Sequence, residues 1–102
     1  MNEIRTIEFA PPKGFSRDIE KAIEILRREG CREIYLFGSI LIDAGEASDI
    51  DMGIRNFPRS RFFHIYGLLM AELEHSIDLL DFDQEESMFY MLQGMGEMRR
   101  IA

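Results

Sequence analysis

The sequence holds a single cysteine, Cys31, so no internal disulfide can form, and a thiol between Gly30 and a strand-like run reads as a small buried side chain. A reducing, cytoplasmic setting fits that count. Basic residues are scarce: 12 Lys and Arg stand against 19 Asp and Glu, a net charge of −7. Such a surface repels polyphosphate chains unless metal ions intervene, which argues against a nucleic-acid-binding face. Long apolar runs are missing. None approaches the ~18 residues of a membrane span, and Met1 to Arg5 lacks the basic segment and apolar core of a secretory leader. Neither secretion nor a membrane location is expected. Internal repeats and low-complexity segments are lacking too. With 102 residues, 46% hydrophobic and 30% charged, the chain is expected to form one globular domain over 1–102.

What is present is an alternation of helix and strand signals. Thr6-Ile7-Glu8-Phe9 alternates until Pro11-Pro12 stops it, which fits an edge strand or an ordered arm. Ser16 can cap a helix, Asp18 and Glu20 lie in its first turn, and Ile19, Ala22, Ile23 and Leu26 repeat at helical spacing, predicting a helix over 17–29 that ends at Gly30. Glu33–Phe37 is β-favouring and continuously apolar enough for a buried central strand, closed by Gly38-Ser39. A helical turn over 40–42 and a loop over 43–48 follow, then a second strand at Asp49–Arg55. Phe62, Phe63, Tyr66, Leu69, Met70 and Leu73 predict a sheet-packed helix over 59–74. A third strand over 76–82 puts Ile77 and Leu79 on one face and Asp78, Leu80 and Phe82 on the other. Met88, Met91, Met95 and Met98 read as a helical seam covering the sheet, with Gly94 and Gly96 at a helix end. The fold class implied is α/β (α+β): a small mixed sheet with helices packed on at least one face.

The chemistry concentrates in Leu36-Phe37-Gly38-Ser39 and Ser48-Asp49-Ile50-Asp51-Met52. On a strand, Asp49 and Asp51 project from one face while Ile50 and Met52 enter the core. Two bare carboxylates so close repel one another, which raises the pKa of at least one unless a cation neutralises them. Mg²⁺ suits that need, because it takes hard oxygen ligands and is commonly held by one or two carboxylates together with substrate phosphates. Asp78, if strand pairing delivers it to the same side, adds a third carboxylate able to complete a metal site or deprotonate a hydroxyl. Gly38-Ser39 supplies the complementary part, a turn where backbone amides and a hydroxyl can close on a phosphate. The nine residues 40–48 are enough to bring the second strand back alongside the first.

This pattern resembles the DNA polymerase beta type nucleotidyltransferase superfamily, whose signature is an apolar residue, Gly, Gly or Ser, a spacer of this length and Asp-apolar-Asp. Gly38-Ser39, Ser48-Asp49-Ile50-Asp51 and Ile77-Asp78-Leu79-Leu80-Asp81 are most similar to its small stand-alone members, the minimal nucleotidyltransferases, over nearly the whole chain. The resemblance implies a palm-like fold, metal ligation and catalysis by Asp49, Asp51 and Asp78, nucleotide binding at Gly38, Ser39 and Ser48, and a two-metal Mg²⁺ site. It also implies transfer of a nucleoside monophosphate, AMP from ATP in the first instance, and pairing with a HEPN-domain toxin whose antitoxin this chain would be.

The spacer here has two acids, Asp43 and Glu46, and no basic residue, which motivates a second expectation: a catalytically degenerate binding module that neutralises its partner by complex formation. A third is a small-molecule nucleotidyltransferase completed by dimerisation, the form in which a homo-oligomer is expected. Other motifs carry less. Asp49-Ile50-Asp51-Met52-Gly53 fails as an EF-hand, because its glycine is fifth and the twelfth place is Ser60. His64 and His75 have no second ligand at metal spacing and are not expected in the site, and Phe62, Phe63 and Tyr66 read as core.

Overall fold

Ile19, Ala22, Ile25 and Leu26 fall on one side of a 3.6-residue period, and that stripe is buried along α1 (Ser16–Arg28). Ser16 is the first helical residue and not the cap; Phe15 holds the cap position and makes no side-chain capping bond. The computed structural model describes residues 11–102, so the strand or arm expected over 6–9 lies outside the described residues. After α1 the chain enters β1 (Glu33–Phe37), turns through the short α2 (Ser39–Ile42), and returns as β2 (Asp49–Arg55). A 3-10 turn (Arg59–Arg61) leads into α3 (Phe62–Glu72), then β3 (Ser76–Asp81), α4 (Glu86–Met95) and β4 (Met98–Arg100).

The mixed α/β architecture is as expected, with a four-stranded sheet in the order β3-β2-β1-β4. β1 pairs antiparallel with β2 and β4, whereas β2 and β3 are parallel, which requires the crossover that α3 supplies. β4 differs from the sequence reading. Met98 belongs to this three-residue strand and not to a helical seam, because the left-handed Gly96 has already ended α4. The seam itself is corrected as well: Met91 and Met95 are exposed, while Phe89 and Leu92, with Met88 beside them, face the sheet. On α3, Ile65 and Leu69 are fully buried, whereas Phe63 and Met70, expected in the core, stand in solvent.

Strand alternation divides the side chains cleanly. Ile34, Leu36, Ile50, Met52, Ile54, Ile77 and Leu79 form one face, packed under α1 and α3. Tyr35, Phe37, Leu80, Phe82 and Met98 form part of the other, beneath α4. Each large aliphatic side chain buried in this way contributes roughly 1.5–3 kcal/mol. Cys31 joins the first cluster, and burial pushes its thiol up to about 12, so it behaves as a small apolar side chain. Among the described residues, no helix is long and apolar enough to cross a membrane.

One polar contact ties α1 to the start of β3. Asp18 is only 3% exposed, and its carboxylate accepts the backbone N–H of Glu74 at 3.0 Å and of His75 at 2.7 Å. The His75 Nδ1 lies 2.7 Å from the same oxygen, with the imidazole stacked on Phe15 at 4.3 Å. Burial alone would raise the Asp18 pKa, but these hydrogen bonds and the His75 charge outweigh it and hold the carboxyl below its ordinary value. A lowered folded-state pKa contributes stability above the unfolded value, and that contribution is lost as pH falls through the folded one. Asp18→Ala is therefore expected to cost about 3 kcal/mol at neutral pH. Urea unfolding should show the difference shrinking as pH falls through the lower carboxylate range; a pH-independent difference would contradict the assignment.

Candidate active site

The site is built by strand alternation and one register. Ile50 and Met52 are fully buried on the α1 and α3 side, so Asp49 and Asp51 point to the opposite face. Paired residues of a sheet share a face, and the parallel register sets Asp78 beside Asp51 and Ser76 beside Asp49. Strand pairing thus brings all three predicted carboxylates together. Asp49 and Asp78 are exposed and Asp51 is half-buried, because α4 covers only the part of this face that carries Tyr35, Phe82 and Met98. Phe82 closes the apolar wall of the site: its ring occupies the space where a Cβ of Gly53, two residues beyond Asp51, would stand.

Gly38 approaches from the other flank. Phe37, the residue before it, is the antiparallel partner of Asp51. Gly38 has φ +81° and ψ −157°, and a Cβ built there would overlap the Asp51 carboxylate. Both the backbone conformation and the close approach therefore call for glycine. Ser39, exposed, opens α2, and the turn is closed by Leu41 N–H donating to the Gly38 carbonyl at 3.0 Å. Ser48, also exposed, immediately precedes Asp49. All six predicted site residues thus lie at one end of the sheet. Ser76, across from Asp49, is a neighbouring hydroxyl that the sequence alone does not single out, since its place depends on the β2–β3 register.

Burial pushes the Asp51 carboxyl up from its ordinary value, and the charges of Asp78 and Asp49, with a hydrogen bond shared with Asp78, push it further. Arg55, Arg59 and Arg61 are engaged elsewhere. Arg55 lies at the far end of β2, near Glu33 and Asp83 and with its guanidinium 4.1 Å from the Phe89 ring centre. Arg59 pairs with Asp81, and Arg61 with Glu29. Among the described residues, no three His, Cys, Asp or Glu side chains are grouped so that they could hold a metal ion together. The acid row instead offers hard oxygen donors on one open side, which fits Mg²⁺ completed by water and substrate phosphates.

A carboxyl whose pKa is raised in the folded state binds its proton more tightly there than in the unfolded chain. Its ionisation therefore lowers stability as pH rises from below the ordinary carboxylate range through the raised value. Asp51→Asn is expected to raise the melting temperature at neutral pH by a few degrees, and to lose that advantage in acid. Added Mg²⁺ should stabilise the wild type more than the variant; an equal response in differential scanning fluorimetry would contradict a cation site at Asp51. Compared with protein-family models, curated proteins and solved structures, the chain matches none.

Proposed function

We propose that this chain is a metal-dependent nucleotidyltransferase that moves a nucleoside monophosphate, AMP from ATP, to a hydroxyl of a partner protein, and that it acts as the antitoxin of a HEPN-type toxin. The observation that carries the reading is the convergence of Asp49, Asp51 and Asp78 on an open sheet face beside the Gly38 turn. A bland acidic strand end would not also need a glycine whose missing Cβ leaves room for one of the carboxylates. The partner's identity rests on the sequence resemblance alone.

Bound Mg²⁺ would neutralise charge on the phosphates and orient them. Asp49 and Asp51 are the residues to hold it, with Asp78 completing the set. On this reading the Ser39 hydroxyl and the amides following Gly38 would take phosphate oxygens. Asp78, on the outermost strand, stands on the side from which an acceptor hydroxyl can arrive and accepts its proton at a carboxylate oxygen. The acceptor oxygen then forms a bond to the α-phosphorus as the bond from that phosphorus to the departing pyrophosphate breaks.

A second reading has its own support. Arg55, Arg59 and Arg61 are paired with acids away from Asp49, Asp51 and Asp78, and the turn before Asp49 carries Asp43 and Glu46, so these three cations do little to draw in a triphosphate. That arrangement favours a module that neutralises its partner by occupying a surface. Incubation with α-labelled ATP, Mg²⁺ and the product of the adjacent gene separates the two. The first reading expects label on the partner, reduced about 100-fold or more in Asp49→Ala or Asp51→Ala. Toxin neutralisation that survives the double substitution, with no label transferred, would sink the enzymatic reading in favour of the second.

A further inference from the structure

Among the described residues β3 is an edge strand, and a groove of about 560 Å³ runs beside it, lined in part by Arg59, Phe62, Phe63, Leu80 and Glu85. The Phe82 N–H donates to Ile54 of β2, so even-numbered β3 residues turn their backbone inward and odd-numbered ones turn theirs out. Two of the outward carbonyls are already used. That of Ile77 accepts the Tyr66 hydroxyl at 3.1 Å, and that of Asp81 accepts the N–H of Gln84 and Glu85. Leu79, between them, turns both its N–H and its C=O outward, with no hydrogen-bond partner among the described residues. The next side chain back along the strand is Asp78. Such an edge is usually blunted against pairing with other chains. Here it is flanked by an aromatic ring, Phe63, that is 83% exposed.

We propose that the free edge of β3 is the docking site for the acceptor: an extended segment of a partner protein adds there as a fifth strand. Its backbone pairs with Leu79, one side chain stands beside Asp78, and the next, on the opposite face, packs against Phe62 and Phe63. The alternation of a strand thus specifies the segment as a hydroxyl-bearing residue with apolar neighbours. The charge around the edge specifies the rest. Asp78 on the strand and Glu85 in the groove flank it, Asp81 being paired with Arg59, on a chain of net charge −7, so a second copy would set like charges against like, whereas a segment bearing Lys or Arg is attracted to those two carboxylates. The hydroxyl's role rests on the nucleotidyltransferase reading; strand addition itself does not. On that reading the phosphates sit by Gly38 on one flank of Asp51 and the acceptor arrives over β3 on the other.

The probe is a fluorescein-labelled peptide, Arg-Lys-Val-Tyr-Val-Lys, titrated with the full chain and followed by anisotropy without nucleotide or metal. Saturable binding is expected, weakened about tenfold or more by Phe63→Glu, a change at an exposed position that leaves the core untouched. N-methylating the peptide amides one at a time should weaken binding at alternate positions only, the signature of a strand whose amides point to and from β3 in turn. No saturable binding, indifference to Phe63→Glu, or N-methyl effects without that period of two would overturn the proposal. So would a homodimer in sedimentation equilibrium that Phe63→Glu dissolves, because the edge would then belong to a second copy. Period-two binding without label transfer to the tyrosine would uphold the docking site while counting against the transferase; transfer without that pattern would do the reverse.

Discussion

The parallel register that sets Asp78 against Asp51 is the constraint on which the open face of the sheet depends. It places three like charges side by side, an arrangement the chain does not adopt for the sake of stability, as the upward push on Asp51 shows. What enforces it lies on the reverse side. Ile50, Met52, Ile54, Ile77 and Leu79 are buried beneath α1 and α3, and a one-residue slip of β3 against β2 would turn Ile77 and Leu79 into solvent. Asp18 adds a local clamp by holding the backbone N–H groups of Glu74 and His75 where β3 begins. Core packing and one buried carboxylate thus fix the position of the acids on the other face.

The two ends of that outer face treat charge differently. At the end bearing Glu33, the acids are matched: Arg55 lies between Glu33 and Asp83 and against the Phe89 ring, and the Tyr35 hydroxyl donates to Glu33. At the end bearing Asp49, Asp51 and Asp78, none of the ion pairs among the described residues involves these acids, and Gly38 leaves room for an Asp51 carboxylate oxygen. Charges that serve the fold are paired within it. On the proposed reading the unmatched acids are the end that something outside the chain completes, since an uncompensated cluster next to an apolar core costs stability.

Much of this was legible in the sequence because it follows from period and punctuation. Glu33–Phe37 and Asp49–Arg55 end where Gly38 and Asn56 interrupt them, and alternation alone assigns Asp49, Asp51 and Asp78 to polar faces. That the three faces coincide was not legible, because it depends on β3 pairing with β2 in parallel. The misses have related causes. A three-residue strand at Met98 has too few positions to show a period and happened to extend a helical spacing of methionines. Phe63 and Met70 fit a helical stripe as well as Ile65 does, and only tertiary packing decides which side of α3 meets the sheet. Asp18 reads as an ordinary first-turn acid, since its partners lie 56 and 57 residues away.

The most direct measurement is the paramagnetic broadening of backbone amide resonances as Mn²⁺, a stand-in for Mg²⁺, is titrated into the isotope-labelled protein. Saturable broadening centred on Asp49, Asp51 and Asp78, spreading to Gly38 and Ser39 and abolished by Asp51→Asn, is the expected result. Broadening that never saturates, or that centres on the acids over 81–86 and ignores the Asp51 substitution, would contradict it and leave the acid row without a ligand.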